Sequence, residues 1–447
     1  MTLASNYRKE VAISELSPVF VMNPYYSGLG IARSLFGCGV DVYALASARD
    51  APGLMSRYFT RSYEVPNGRD RPEQLCKRLL EIRSEFGLRP VLFPTRDLDV
   101  LFLQEYQEAL SPHYLLPQRD NSEILRLIDK LELAREATRL KIPTPLTVSC
   151  GSPAELERHI ATLQFPIIVK PRFAYQWRRK GVWQRAGSQK AIIVKSAAEL
   201  RAQYDQLAVF SSEVLLQRYV PGDDNDIVVC GCYVAREGKM LGHFTGRKVR
   251  QDPPLVGTGS VVEACDIDGI LAPSAALLGA FGYTGLAEIE FKQDKATGLY
   301  FLIEVNARHW DQHELGTLVG VNLSWIAYQD MVGRAQDVVT PSYALGSTYR
   351  WIAETELLKD MVRGLCLQLA ASRGSRTWIR DCIGVLKETV LDLARLLVGK
   401  KIFAVVRVHD PLPGFLLLWR LGREAFSYAS TRFRERNVQQ EGADQAR

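Results

Sequence analysis

The sequence predicts a mixed α/β and α+β chain: a parallel, doubly wound sheet at the N-terminus, then strands and helices interleaved with hairpins, then a mainly helical C-terminal extension. Three observations predict it. Short apolar runs alternate with helical patterns at first, paired runs joined by turn residues take over after Asn121, and beyond about Thr340 the chain reads as helical and basic. The boundaries drawn from these shifts are 1–116, 117–335 and 336–447.

The run Pro18 to Asn23 reads as a strand, Tyr25-Tyr26-Ser27-Gly28-Leu29-Gly30 as a glycine turn, and Ile31, Leu35 and Phe36 as one face of a helix. Strands at Val40 to Ala46 and Val91 to Pro94, with a helix from Pro72 to Phe86, complete the alternation that implies a parallel sheet. Arg33 stands where a dinucleotide fingerprint has its third glycine, so the turn is not read as an NAD site. Ser122 is expected to cap one long amphipathic helix carrying Leu125, Ile128, Leu131, Leu133 and Ala137, which ends before Pro143 and Pro145. Strands follow at Phe165 to Lys170, Ala191 to Lys195 and Val214 to Arg218, with a long loop from Arg172 to Gln189 and a helix through Leu200 and Tyr204. Asp226 to Val234 pairs with Met240 to Thr245, and Ala287 to Phe291 pairs with Tyr300 to Asn306 around the turn Asp294 to Gly298.

Composition excludes several classes. With 47% hydrophobic and 24% charged residues the chain is neither disordered nor collagen-like. The uncharged run between Asp268 and Glu288 contains glycines and a proline and reads as a soluble helix plus turn rather than a span. The N-terminus lacks the apolar core of a signal peptide, so a cytoplasmic location is expected, with the eight cysteines as thiols. Cys230 and Cys232 share a strand face but have no nearby partners for a metal, and no zinc-finger spacing suggests nucleic acid. From Arg363 onward 15 Lys/Arg face 8 Asp/Glu, so the extension carries the chain's positive excess. Gly414 to Trp419 (GFLLLW), with arginines after it, could lie on anionic lipid, although packing on the rest of the protein is the favoured reading.

The chemistry is concentrated around Glu290, Glu304 and Asn306. In paired antiparallel strands these side chains can share a face, and carboxylates set among Ile, Leu, Phe and Val need a cation between them. Oxygen-only ligands suit Mg²⁺ bridging phosphates. Lys170, at the end of an apolar strand, and Lys130, early in a helix, offer fixed cations to a polyphosphate. The segment Gln217-Arg218-Tyr219-Val220 presents a backbone edge to an adenine, and Asp223, Asp224 or Asp226 could accept from ribose hydroxyls. Arg247, Lys248 and Arg250, followed by Gly257-Thr258-Gly259, read as either a basic turn with a flexible loop or an anion site.

Taken together, these residues resemble the ATP-grasp superfamily of carboxylate-amine ligases, from about Lys130 to Arg334, and the preceding part resembles the small Rossmann-like domain found before the grasp module. The resemblance implies an ATP-grasp fold of two α+β subdomains. It implies that Lys130 and Lys170 hold the α- and β-phosphates and that Gln217, Arg218, Tyr219 and Val220 hold adenine. Ribose falls to Asp224 or Asp226, and Mg²⁺ (or Mn²⁺) to Glu290, Glu304 and Asn306, while Arg308, Lys248 and Arg250 serve the γ-phosphate and acceptor as catalytic cations. The implied reaction is ATP-dependent amide formation through an acyl phosphate on small-molecule carboxylate and amine substrates, with thioester formation and an inactive membrane-docked scaffold as the alternatives. A homo-oligomer and a peripheral membrane contact through the basic tail are compatible with it; nucleic acid is not expected.

Overall fold

The computed structural model describes residues 16–423 apart from 49–50, 118–122, 179–181, 188, 210–212, 339–344, 372–377 and 397. Strands β1 (Val19–Met22), β2 (Val42–Ala46), β3 (Arg61–Glu64) and β4 (Val91–Phe93) form a parallel sheet in the order β3-β2-β1-β4. Its inner strands are buried on both faces, as their continuous apolar runs require. The order reverses between β1 and β4, so the crevice at their carboxyl ends is where an open sheet of this kind takes a ligand. The stretch expected as a glycine turn is helical instead, since Tyr26–Leu35 forms a helix soon after β1, and its glycine serves packing: a Cβ on Gly30 would lie 2.7 Å from His313 Cε1. Arg33 likewise has a structural partner, since its guanidinium donates to Ala404 O at 2.7 Å and Val405 O at 2.8 Å.

Next come β5 (Thr147–Cys150), β6 (Ile167–Lys170), β7 (Ile192–Val194) and β8 (Val214–Arg218), an antiparallel sheet in the order β5-β8-β6-β7. A larger sheet follows, built from β9 (Ile227–Val234), β10 (Met240–Asp252), β11 (Thr258–Ala264), β12 (Gly285–Gln293), β13 (Tyr300–Asn306), β14 (Tyr349–Ile352) and β15 (Lys400–Phe403). Its order is β13-β12-β9-β10-β11-β14-β15, antiparallel except for β14 and β15. The expected run between Asp268 and Glu288 is a helix, Leu271–Ala280, and a turn into β12. Among the described residues no helix is long and apolar enough to cross a membrane.

Two further expectations need correction. The single helix from Ser122 is two helices, Ile124–Ile128 and Lys130–Arg139, because Asp129 takes extended backbone and its carboxylate accepts from Leu131 N and Glu132 N; Ser122 itself lies outside the described residues. The segment from Arg247 is neither a basic turn nor a loose loop, since β10 continues to Asp252 and pairs with β11. The extension is mainly helical, as expected, and also carries two short strands. Beside the helices Glu354–Ala371 and Trp378–Leu396 it supplies β14 and β15, so the large sheet is completed by residues after 340. Removing residues 341–447 should therefore leave insoluble protein, because β11 loses its neighbour and Val261, now fully buried beside Ile352, meets water; recovery of the truncated chain in the soluble fraction tests this.

Candidate functional site

The site is set by strand register. Glu290 lies opposite Glu304, and Glu288 opposite Asn306, across the β12–β13 pair. Since residues two apart share a face, all four side chains point the same way. Glu288 was missed in the sequence, although A-E-I-E-F places it two residues before Glu290 on the same face. Burial and the neighbouring Glu290 push Glu288 up to about 8, and its carboxylate accepts from Asn306 Nδ2 at 2.9 Å and from Gln312 Nε2.

Ammonium groups stand between these carboxylates. Lys248 Nζ is 2.6 Å from Glu290, and Lys130 Nζ is 3.4 Å from Glu304. Burial would raise the Glu304 carboxyl, but Lys130, Lys190, Lys248 and Lys170 together hold it well below the usual carboxylate range. Among the described residues no three Asp, Glu, His or Cys side chains form a ready-made metal cage. The buried acids are held apart by lysines instead, a donor set that fits a divalent cation arriving with phosphates that draw the lysines away.

Lys130 opens its helix because Asp129 caps it, and Lys170 closes β6. Lys170 is buried, donates to Gln217 Oε1 at 2.9 Å, and is pushed down to about 7 by burial and by the nearby Lys130. Lys190 also lines the cleft and is lowered by burial, an ammonium that its place at the end of an irregular loop concealed. That loop holds two short helices, Ala174–Trp177 and Val182–Arg185. Trp177 packs into the small-sheet core and Phe173 stacks on Tyr175 at 5.5 Å, whereas Trp183 lines the cleft.

An anion bound at Lys170 raises its pKa again, so the free protein must take up a proton on binding above pH 7. The affinity of any phosphate group that binds at Lys170 should therefore be full below about pH 7 and fall as pH rises, approaching tenfold per unit between pH 8 and 9. Calorimetry in buffers of different ionisation enthalpy should show that uptake.

The hinge residues are divided. Gln217 lines the cleft and donates to Thr147 Oγ1 at 2.7 Å. Arg218 turns outward with its guanidinium 5.1 Å from the Phe301 ring, Tyr219 receives Lys292 over its ring, and Val220 is buried. After Arg218 the chain leaves the sheet, and of these four residues Gln217 alone is among those lining the cleft. Neither ribose candidate lines the cleft. Asp224 accepts from Gln251 N at 2.8 Å and Leu255 N at 2.7 Å, and Asp226 pairs with Lys295 at 3.0 Å and accepts from Asp223 N. Donors from β10 and the turn after it hold Asp224, and Lys295 with Asp223 N holds Asp226, in the turn before β9.

Arg308 is fixed between parts of the chain, donating to Asp97 at 2.7 Å and to Asn306 Oδ1 at 3.1 Å. Lys248 faces the carboxylates, but Arg250 does not: it pairs with Asp360 at 2.9 Å and Asp392 at 3.2 Å on the C-terminal helices. The cause is a bulge in β10. Register shifts on either side of Arg250 let Lys248 and Gln251, three apart, both face the cleft while Val249 and Arg250 face the helices.

Two cavities meet here. One, with ≈ 870 Å³ of empty space including its mouth, is lined by Lys130, Lys170, Lys190, Gln217, Leu255 and Glu304. The other, ≈ 810 Å³, lies between the large sheet and the ends of β1 and β4, where Asn23, Tyr26, Ser27 and Arg96 face Lys248, Glu288 and Asp311. Arg178, Lys190, Glu290, Asn306 and Arg308 line both, so the chambers share one wall.

No family model matches the chain. A curated D-aspartate ligase of Enterococcus faecium (strain Aus0004) is 26% identical over 323 residues, covering 70% of this chain and 75% of that protein. The ADP complex of purK, N5-carboxyaminoimidazole ribonucleotide synthetase, has a TM-score of 0.58 at 14% identity over 80% of this chain and 87% of that one. An L-amino acid ligase from Bacillus licheniformis has a TM-score of 0.55 at 17% identity, covering 72% and 77% of the two chains. The solved structures share the fold, and the curated ligase shares sequence over most of both proteins. In fold and in sequence the chain resembles carboxylate-amine ligases of the ATP-grasp type.

Proposed function

We propose that the protein is an ATP-dependent ligase that joins a carboxylate to an amine, with release of ADP and phosphate. The observation that carries this reading is the shared wall: the lysine-lined chamber opens directly onto a second polar chamber through Lys190, Glu290, Asn306 and Arg308. A phosphate held by Lys130, Lys170 and Lys190 would present its terminal phosphorus at that wall. Arg96 and Arg178 offer cations to a carboxylate in the second chamber, and Asp311, fixed by Ser27 Oγ at 2.8 Å, offers an anion to an ammonium.

The substrate carboxylate oxygen attacks the γ-phosphorus, the bond to the β-phosphate oxygen breaks, and ADP leaves. The amine then attacks the acyl carbon, gives up a proton, and phosphate departs. Arg308 and Lys248 stabilise the negative charge on the acyl phosphate and on the oxyanion of the second step. Mg²⁺ held by Glu290, Glu304 and Asn306 would neutralise phosphate charge. No protein nucleophile is required, so positioning carries the catalysis. The curated relative makes D-aspartate the first acid to test, alongside other amino acids, short peptides and sugar acids. ADP release that depends on both an acid and an amine supports the reading; ADP release that no acid in such a panel stimulates contradicts it.

Base selection follows from the hinge. A backbone edge after Gln217 offers adenine a donor and an acceptor, and guanine presents the reversed pattern, so ATP should stabilise the protein at concentrations at least about tenfold lower than GTP. Equal thermal shifts with the two nucleotides would remove the hinge from the adenine site.

A further inference from the structure

The helix over residues 411–423 is apolar on two opposite sides. One side packs on the protein through Pro413, Gly414 and Leu417, with Leu421 against the same core. The other turns Leu412, Phe415, Leu418 and Trp419 into solvent at 51%, 66%, 63% and 53% exposure. A solvated helix face is normally polar. This one carries a Phe and a Trp, with the Arg423 guanidinium 4.7 Å from the Trp419 ring. Val408, three residues before the helix, is 92% exposed.

Charge indicates what covers this face. Between Arg395 and Arg423 there are six Lys/Arg and one Asp/Glu. Arg407 and Asp410 are consumed internally, by Glu314 and Arg33. Arg395, which pairs with Asp392, and Lys400, Lys401 and Arg423 are exposed. A second copy of the chain would bring the same positive charge against it, whereas an anionic bilayer supplies the opposite sign, and Trp with Arg is the pairing that suits its headgroup layer.

We propose that the outer face of helix 411–423, with the Arg423 cation over Trp419, docks the protein peripherally on an anionic lipid surface. The helix stays parallel to the membrane; Phe415, Leu418 and Trp419 enter the headgroup boundary and the catalytic cleft remains in water.

The full chain should co-sediment with vesicles of phosphatidylcholine and phosphatidylglycerol, and not with phosphatidylcholine alone, and should be released as salt rises. The triple variant Phe415→Ser, Leu418→Ser, Trp419→Ser should lose binding while its unfolding temperature and ATP binding stay unchanged. Arg423→Gln should weaken binding by about fivefold. Absence of binding to the anionic vesicles, equal binding to neutral ones, or binding that survives in both variants would overturn the proposal. So would a dimer in light scattering that the triple variant dissolves while vesicles are ignored, which would assign the face to a second copy.

Discussion

Glu304→Gln is expected to fold and to lose turnover by about a thousandfold, about 4 kcal/mol of barrier. The side chain keeps its volume and its place opposite Glu290 on β13, so the sheet has no reason to change. What disappears is an anion that four lysines surround and that Lys130 approaches to 3.4 Å. The pair is only 11% and 22% exposed and the surrounding lysines lose a shared anion, so the variant should also lose stability, on the order of 2 kcal/mol, and still fold. The functional loss is larger because a divalent cation needs the charge, and an amide oxygen supplies only a dipole. Turnover within about threefold of the parent, about 0.7 kcal/mol, would mean that Glu304 does not hold the metal.

Lys170→Met separates stability from function in the opposite sense. Burial and Lys130 hold the Lys170 ammonium near 7, far below its ordinary value, so the fold disfavours its charge. With a pKa lowered on folding, the unfolded chain binds more protons from about pH 7 to pH 10, and the lysine opposes folding most strongly at and below pH 7. An apolar side chain of similar length relieves that opposition, although Gln217 Oε1 loses its donor. The variant should unfold at the same temperature or higher at pH 7, yet bind ATP and turn over at least about a hundredfold less well. A variant that is less stable and fully active would reverse the assignment, making Lys170 a structural residue.

The parts of this site that were legible in the sequence are those governed by period two and by apolar runs. Glu290, Glu304 and Asn306 follow from strand alternation once the hairpin is seen, and Lys170 from an apolar strand that ends in a lysine. Alternation also contained Glu288, which lies two residues before Glu290 on the same strand face. The rest depended on irregularities that periodicity does not carry. Asp129 sits within a continuous helical pattern, and only its cap geometry shows the break that sets Lys130 at a helix start. The bulge that turns Arg250 from the cleft toward Asp360 leaves no trace in residue spacing. Short strands such as β3, exposed on most of its length, and β15, with two lysines in four residues, look like polar loops until their neighbours are in place. The acids after the hinge read as ligands by type, and the backbone amides that hold Asp224 become visible only when β10 and its following turn are folded against them.

The central claim is that this cleft transfers phosphate from ATP to a carboxylate before the amine attacks. It is tested most directly by supplying an acid that stimulates ADP release with ¹⁸O in its carboxylate and analysing the phosphate released. The mechanism predicts one labelled oxygen in each phosphate, carried across when the acyl phosphate breaks. Unlabelled phosphate, or AMP and pyrophosphate in place of ADP, would contradict it.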